Sequence, residues 1–216
     1  MAGRGNTLLP SELWRTPLRT VRPQDLTGIY AQPRPEVARL VERNVLHRVA
    51  HGYYIIVPPD YVGRIWLPVL EAAAAGIASS IYGPDKAIVM GVSAARLLGA
   101  IPRALATAVV AVPSQHRPIA LTDRSAQVRF VRRDTDALDA ERIETSLGPA
   151  VVTTPEQTVL DLARRPELGN AEAEARSAIA TLYRGSDPSR LAQLAVEQRL
   201  GAALRRAESW AGYEFQ

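Results

Sequence analysis

The spacing of apolar and polar residues in the first quarter of the chain predicts two short helices followed by a β ribbon. The helices are expected over 23–30 and 35–43, because each begins at a proline, which suits the first helical position. Two β-rich runs follow, over 45–49 and 53–57, and the turn at Ala50-His51-Gly52 between them closes a hairpin. This order of elements is the pattern of a winged helix-turn-helix.

The apolar pattern also predicts which side of this unit faces water. Val37, Leu40 and Val41 recur at helical spacing and predict the buried face of the second helix. The residues left outside form a basic surface that suits duplex DNA, because a helix fits the major groove and a basic wing can lie along the phosphates. The candidate DNA-contacting residues are Arg22, Arg34, Arg39, Arg43, His47, Arg48 and His51. The alternatives are a solvated helix face and a protein-protein adaptor.

Beyond Pro58 the pattern changes and predicts a second unit. Its first expected element is a helix within residues 61–80 that either starts near Pro68 or is kinked there. The others are a short helix over 94–99 capped by Ser93, strands over 107–112, 117–122 and 127–132, a hairpin over 143–153, and helices from 155, over 171–183 and over 188–207. The predicted fold class is therefore α+β, with a winged helix-turn-helix DNA-binding domain in residues 1–58. Residues 59–216 are expected to form a C-terminal domain with a small, largely antiparallel sheet packed by helices.

The distribution of charge supports that division. Residues 1–57 contain eight arginines and four acidic residues, so they carry the whole formal net charge of +4. The rest of the chain contains 18 basic and 18 acidic residues. A basic N-terminal unit, here called the head (residues 1–58), on a neutral C-terminal unit, here called the body (residues 59–216), is typical of DNA-binding proteins. Because four charges give only weak affinity for phosphates, we expect a dimer or several copies acting on repeated half-sites.

Composition and motifs exclude several other classes. The chain has no cysteine, which excludes disulfides, thiolate metal sites and cysteine nucleophiles. There is no signal peptide pattern, and the longest apolar run is interrupted by Glu71 and two serines, so we expect a cytoplasmic protein without a membrane partner. The sequence lacks nucleotide-binding and zinc-protease motifs, and the three histidines are not at metal-ligand spacing. We therefore expect no catalytic residue, no metal and no cofactor.

Two acidic residues leave one chemical alternative open. Asp134 and Asp136 could hold a divalent ion, although two solvated aspartates in a loop are the ordinary interpretation. A nucleotidyltransferase would have Gly-Ser followed by an Asp-x-Asp pair. Here Gly185-Ser186 comes after that pair, which excludes this activity for the chain itself.

Three stretches resemble one known family. They are residues 51–58 (HGYYIIVP), 93–99 (SAARLLG) and 152–166 (VTTPEQTVLDLARRP), and they occur in the order of the AbiEi antitoxins. AbiEi proteins are the partners of AbiEii-type nucleotidyltransferase toxins in bacterial toxin-antitoxin and phage-defence operons.

The resemblance implies a winged head that binds inverted repeats in its own promoter and a body that counteracts the toxin. Arg34, Arg39 and Arg43 would then enter or border the DNA groove, and Arg48 and His51 would serve the wing. Two alternatives remain. The first is an atypical serine protein kinase that phosphorylates the toxin; only this alternative would require ATP and Mg²⁺. The second is a ligand-sensing winged-helix transcription regulator.

Overall fold

The structure is a computed structural model that describes residues 9–213. Within that range, the α-helices are α1 (Ser11–Trp14), α2 (Pro33–Glu42), α3 (Leu70–Tyr82), α4 (Gly91–Leu97), α5 (Pro155–Arg164), α6 (Glu172–Gly185), α7 (Pro188–Glu197) and α8 (Gly201–Tyr213). The strands are β1 (Thr20–Val21), β2 (Leu46–Ala50), β3 (Tyr53–Ile56), β4 (Ile88–Val89), β5 (Thr107–Val112), β6 (Ile119–Ala120), β7 (Gln127–Arg132), β8 (Ala140–Thr145) and β9 (Gly148–Thr153). Arg4, one of the eight arginines counted in the head, lies outside the described residues.

The elements from α1 to β3 form a winged helix-turn-helix. Strand β1 separates α1 from α2, and the antiparallel strands β2 and β3 follow α2, giving a three-stranded sheet in the order β1-β3-β2. The predicted helix over 23–30 is only one 3₁₀ turn, Pro23–Leu26. Gly28 follows this turn, and a glycine costs about 1 kcal/mol in a helix interior, which is one reason why the helix does not continue.

The end of α2 and the wing turn are formed as the sequence predicts. Asn44 stops the helix with a left-handed φ of 54°, a conformation that asparagine tolerates better than most residues. The amide of Val45 then donates to the carbonyl of Leu40 at 2.9 Å, which satisfies one of the terminal helix acceptors. At the wing tip, Gly52 has a φ of 82°, which glycine adopts without strain. The chain therefore changes direction twice within ten residues, once at Asn44 and once at Gly52.

The body contains a six-stranded sheet in the order β6-β7-β5-β4-β9-β8. The pairs β6–β7, β5–β4 and β9–β8 are antiparallel, whereas β7–β5 and β4–β9 are parallel. The α+β class is confirmed. Three of the five strand pairs are antiparallel, and the two parallel pairs, β7–β5 and β4–β9, join strands that are not consecutive in the chain. The buried strand β5 lies in the middle of the sheet, as its continuous apolar run predicts.

Two predicted helices differ from those in the structure. Helix α4 begins at Gly91, so Ser93 is not its cap; the buried Ser93 hydroxyl instead accepts the amide proton of Val109 at 2.8 Å. The single helix predicted over 188–207 is divided into α7 and α8. Arg199 has a left-handed φ of 56° between them, and Gly201, a weak helix former, begins the second helix.

The two units share part of their hydrophobic core. A small cluster between α2 and the ribbon includes Leu40, Leu46 and Ile56. A large cluster fills the body, and Val49 and Ile55 of the ribbon belong to it. Because successive strand residues point to opposite faces, the ribbon packs against the helices of the head on one face and against the body on the other.

Close backbone contacts join the head to the body. A Cβ atom on Gly76 of α3 would lie 2.1 Å from Oγ1 of Thr20 in β1, so only glycine permits this approach. On the other side, the amide of Thr122 donates to the carbonyl of Val49 at 2.9 Å, and Leu121 forms a bridge with Ala50. The body thus covers the free edge of the wing. The domain boundary at residue 58 stays a prediction.

Candidate nucleic-acid interface

Helix α2 buries one face and exposes basic residues around the other. Val37 and Leu40 are buried in the small cluster. Because successive helical residues are about 100° apart, Arg39 lies opposite those two residues, whereas Arg34 and Arg43 lie on the two flanks. All three arginines are exposed. The helix therefore offers one cation at its outermost point and one cation on each side.

Arg39 is paired on the surface. Its Nη2 atom donates to Oε1 of Glu36 at 2.6 Å, and its side chain is 57% exposed. The hydrogen bond that Arg39 donates to this carboxylate raises the pKa of Arg39, so the guanidinium stays charged. Exposed pairs of this kind contribute little to stability. A phosphate or a base edge could therefore replace Glu36 at small cost.

A groove with a volume of about 1060 Å³ runs between the amino end of α2 and the wing tip. Its lining brings together three of the predicted DNA-contacting residues, Arg22, Arg34 and His51. Tyr53 and Tyr54 of β3 also line it. Basic groups and tyrosines in one open groove suit the phosphates and sugars of a nucleic-acid backbone. Arg39, Arg43 and Arg48 lie outside the groove lining.

Arg22 is fixed in place by Asp25. Its backbone amide and Nε both donate to Oδ2 of Asp25 at 3.1 Å, and Nη2 donates to Oδ1 at 3.0 Å. The Asp25 hydrogen bonds raise the pKa of Arg22, although partial burial opposes them. The neutralising carboxylate makes Arg22 a weaker anion site than Arg34, for which no ion pair is found within residues 9–213.

The wing tip carries an exposed pair of basic side chains. Nη2 of Arg48 donates to Nδ1 of His51 at 3.0 Å, and both side chains are exposed. This contact holds the guanidinium beside the wing turn.

His47 points to the other face of the same strand. Its Nε2 donates to Oδ2 of Asp123 at 2.7 Å, and its ring packs edge-on against Trp66 with centroids 5.9 Å apart. Burial acts to raise the pKa of Asp123, but hydrogen bonds from His47 and Arg124 hold it below its usual value. The structure therefore gives His47 a partner in the body, away from the outer surface that carries Arg48.

A second cleft lies in the body, beside the two aspartates that the sequence singled out. Asp134 and Asp136 line it together with Lys86, Arg132 and Arg133, and its volume is about 410 Å³. Lys86 forms an ion pair with Asp136. Within residues 9–213, no three acidic, histidine or cysteine side chains come together in an arrangement that could hold a metal ion.

A buried polar network connects the third family-like stretch to the sheet. Nη1 of Arg133 donates to Oδ1 of Asp161 at 2.8 Å, and Nε2 of Gln157 donates to the same oxygen at 3.3 Å. Burial raises the pKa of Asp161, although the Arg133 guanidinium opposes the shift. Gln198 joins the network through Arg133 and Gln157. Sequence reasoning missed these contacts, because the partners are up to 65 residues apart.

The described part of the chain, residues 9–213, has no helix with the length and apolar character needed to cross a membrane.

Comparisons with known proteins bear on both the body and the whole fold. Residues 87–209, more than half of the chain, match the family model of the AbiEi antitoxin C-terminal domain. Among solved structures, the crystal structure of the RV2827C protein from Mycobacterium tuberculosis is similar, with a TM-score of 0.54 and 19% sequence identity, over 94% of this chain and 78% of that chain. This likeness concerns the fold alone. No curated protein matches the chain. By the match over its body, the chain belongs to the AbiEi antitoxin family.

Proposed function

We propose that this antitoxin represses its own operon by binding inverted repeats in the promoter. One observation carries the proposal: two neighbouring elements, α2 and the wing tip, turn basic side chains outward while their apolar faces are buried. A helix with an outermost arginine can enter the major groove of DNA. The groove beside this helix is lined by Arg34 and His51, and these residues suit the phosphates of the DNA strand that borders the major groove.

The contacts divide into two kinds in this proposal. Arg39 and Arg43 face the bases or the groove edge, where arginine can donate two hydrogen bonds to guanine. Arg34, Arg48 and His51, with a smaller contribution from Arg22, contact phosphates. His47 holds the wing against the body and has no direct contact with DNA.

Two copies would act together on the promoter. The net charge of +4 gives one copy only weak attraction to phosphates. Inverted repeats place two half-sites in a two-fold arrangement, which two heads can occupy. Specific repression then depends on the combined affinity of both heads.

Titration of promoter DNA with Arg39→Ala/Arg43→Ala tests the proposal. We expect at least about tenfold weaker binding, because a good arginine-base pair contributes about 1–3 kcal/mol. The slope of log K against log[salt] should change little, because in this proposal Arg39 and Arg43 contact bases and the phosphate contacts belong to other residues. The matched control is Arg165→Ala/Arg205→Ala, which removes the same charge from the body and likewise includes one arginine with an acidic partner, Glu167.

The control should bind promoter DNA like the wild type. Equal binding by the wild type and Arg39→Ala/Arg43→Ala at several salt concentrations would contradict the DNA-binding assignment. Release from the DNA by a small ligand would instead favour the ligand-sensing regulator.

We also propose that the partner is a nucleotidyltransferase toxin and that the body counteracts it. The family match over residues 87–209 supports this assignment, because it covers the body and not the head. Co-expression with the product of the neighbouring gene tests it: growth should recover, and it should recover equally with Arg39→Ala/Arg43→Ala. A neighbouring gene of another class would contradict the partner.

A second candidate function, phosphorylation of the toxin, is favoured by one feature. Lys86, Asp134 and Asp136 lie around one cleft, and a lysine with acidic residues could accommodate ATP and Mg²⁺. Incubation with labelled ATP and the toxin tests this function. Transfer of label that is lost in Asp134→Asn and Asp136→Asn would support it, whereas toxin rescue by those variants without any transfer would exclude it.

A further inference from the structure

The segment that joins the head to the body is unusually apolar and exposed. Five of the seven large hydrophobic residues exposed in residues 9–213 lie between 61 and 69, a segment that we name the apolar strap. They are Tyr61, Val62, Ile65, Leu67 and Val69. Ile65 is fully exposed, and the exposed fractions of the five side chains together correspond to nearly three fully exposed residues. Soluble monomers rarely expose an apolar patch of more than a few hundred Å² unless it binds something.

The strap is held in place at both ends. The 3₁₀ turn Pro59–Tyr61 begins it, and the ring of Tyr61 lies 6.3 Å from that of Trp66, which packs against His47. At the other end, the buried Pro68 leads into α3. The strap is therefore a shaped surface, and its outward side chains are not needed to fill the core.

We propose that the occupant of the strap is a second copy of this chain. The strap and the 3₁₀ turn at its start together contain one acidic and one basic side chain, Asp60 and Arg64, and both are exposed. Neither forms an ion pair with any residue that the structure describes. Because these two charges cancel, the patch has no net charge that would attract a strongly charged partner. In a two-fold contact, however, Asp60 of each copy faces Arg64 of the other copy, so the interface contains two equivalent ion pairs.

The small size of the patch indicates a weak association. A few hundred Å² from each copy amounts to less than about 1,200 Å² in total, the lower limit of standard stable interfaces. The contact should therefore be a reversible dimer that forms at high protein concentration. The inference does not depend on DNA binding.

Sedimentation equilibrium of the free protein tests the contact. The wild type should dimerise reversibly, and Ile65→Asp should weaken dimerisation at least tenfold, because it places two charges in an apolar contact. Ile65 is fully exposed, so this change leaves folding intact, which circular dichroism checks. The matched control is Val196→Asp, since Val196 is an isolated hydrophobic residue on α7 that is 80% exposed. Dimerisation should be unchanged in the control.

Exchange of the two charges identifies the occupant. Asp60→Arg alone and Arg64→Asp alone should each weaken the dimer, and the double variant should restore it. Mixing the two single variants should give a heterodimer that forms more readily than either homodimer. No other class of partner predicts this pattern.

The absence of native cysteine allows an independent check. Val62→Cys should form a covalent dimer with a short bis-maleimide, and Val196→Cys should not. A wild type that stays monomeric at millimolar concentration, or Ile65→Asp that dimerises normally, would overturn the proposal. Loss of toxin binding in Ile65→Asp without any change in self-association would also overturn it and assign the strap to the toxin.

Discussion

Nε2 of His47 lies 2.7 Å from Oδ2 of Asp123, and this hydrogen bond fastens the wing to the body. The two residues are 76 positions apart in the chain. The Asp123 side chain is almost completely buried, and Arg124 donates to the same oxygen. Asp123 thus accepts hydrogen bonds from the head and from its own loop.

This arrangement predicts a loss of stability in acid. The folded pKa of Asp123 is lowered, so the ionised carboxylate contributes stability above its unfolded pKa of about 3.9, and that stability is lost as the pH falls through the folded value. Asp123→Asn should lower the free energy of unfolding at pH 7 and flatten its dependence on pH below about 4. Urea denaturation at several pH values measures both effects. An equally steep dependence in the variant would contradict the assignment to Asp123.

The two faces of β2 predict opposite phenotypes for adjacent residues. His47→Ala should lower the free energy of unfolding by about 1–3 kcal/mol, because it leaves a buried carboxylate with one partner fewer, and should keep the salt dependence of DNA binding. Arg48→Ala should leave stability within about 0.5 kcal/mol of the wild type and should reduce the salt slope by about one. Denaturation and DNA titration of both variants separate these outcomes. A reduced salt slope in His47→Ala would place that residue on the DNA.

The contact between α3 and β1 predicts a strong effect for a small substitution. Gly76→Ala would place a methyl group 2.1 Å from Oγ1 of Thr20, so we expect a loss of about 1–3 kcal/mol despite the higher helix propensity of alanine. Thr20→Gly in the same chain removes the obstacle and should recover part of the loss. Thermal denaturation of the two single variants and the double variant gives the coupling energy. Gly212→Ala is the control, since nothing lies within 4 Å of the added atom.

The buried carboxylate of Glu71 predicts the reverse dependence on pH. Burial raises its pKa, although the Arg96 guanidinium, whose Nη1 lies 3.2 Å from Oε2, opposes the shift. A raised folded pKa gives stability that is present below the unfolded value and is lost as the pH rises through the folded value. Glu71→Gln copies the neutral form, so its free energy of unfolding relative to the wild type should be more favourable at pH 8 than at pH 4.5. A constant difference over this range would show that Glu71 does not titrate there.

Local signals allowed much of the fold to be predicted. Asn44 and Gly52 specify left-handed positions at the ends of their elements, and the apolar run over 107–112 can only be a buried strand or helix segment. The helix start at Thr154-Pro155 is confirmed, since the Thr154 hydroxyl accepts the amide proton of Gln157 at 3.3 Å. Each of these features depends on residues that are neighbours in the chain.

Long-range contacts account for what the sequence did not predict. Ser93 looks like a helix cap, but a strand amide 16 residues away uses its hydroxyl. His47 looks like part of a basic wing, but its partner lies in a loop of the body. The parallel pairing of β4 with β9 likewise joins segments about 60 residues apart. The basic residues of α2 were easier to identify, because helical spacing alone separates them from the buried face.

The two-sided packing of the ribbon has a genetic consequence. Val49 and Ile55 lose their apolar surroundings if the body is missing, so a stop codon after residue 58 would expose the underside of the wing to water. Such a fragment should be degraded or aggregate. Loss-of-function alleles would then occur throughout the gene, and the proposed control of the promoter and of the toxin would be lost together.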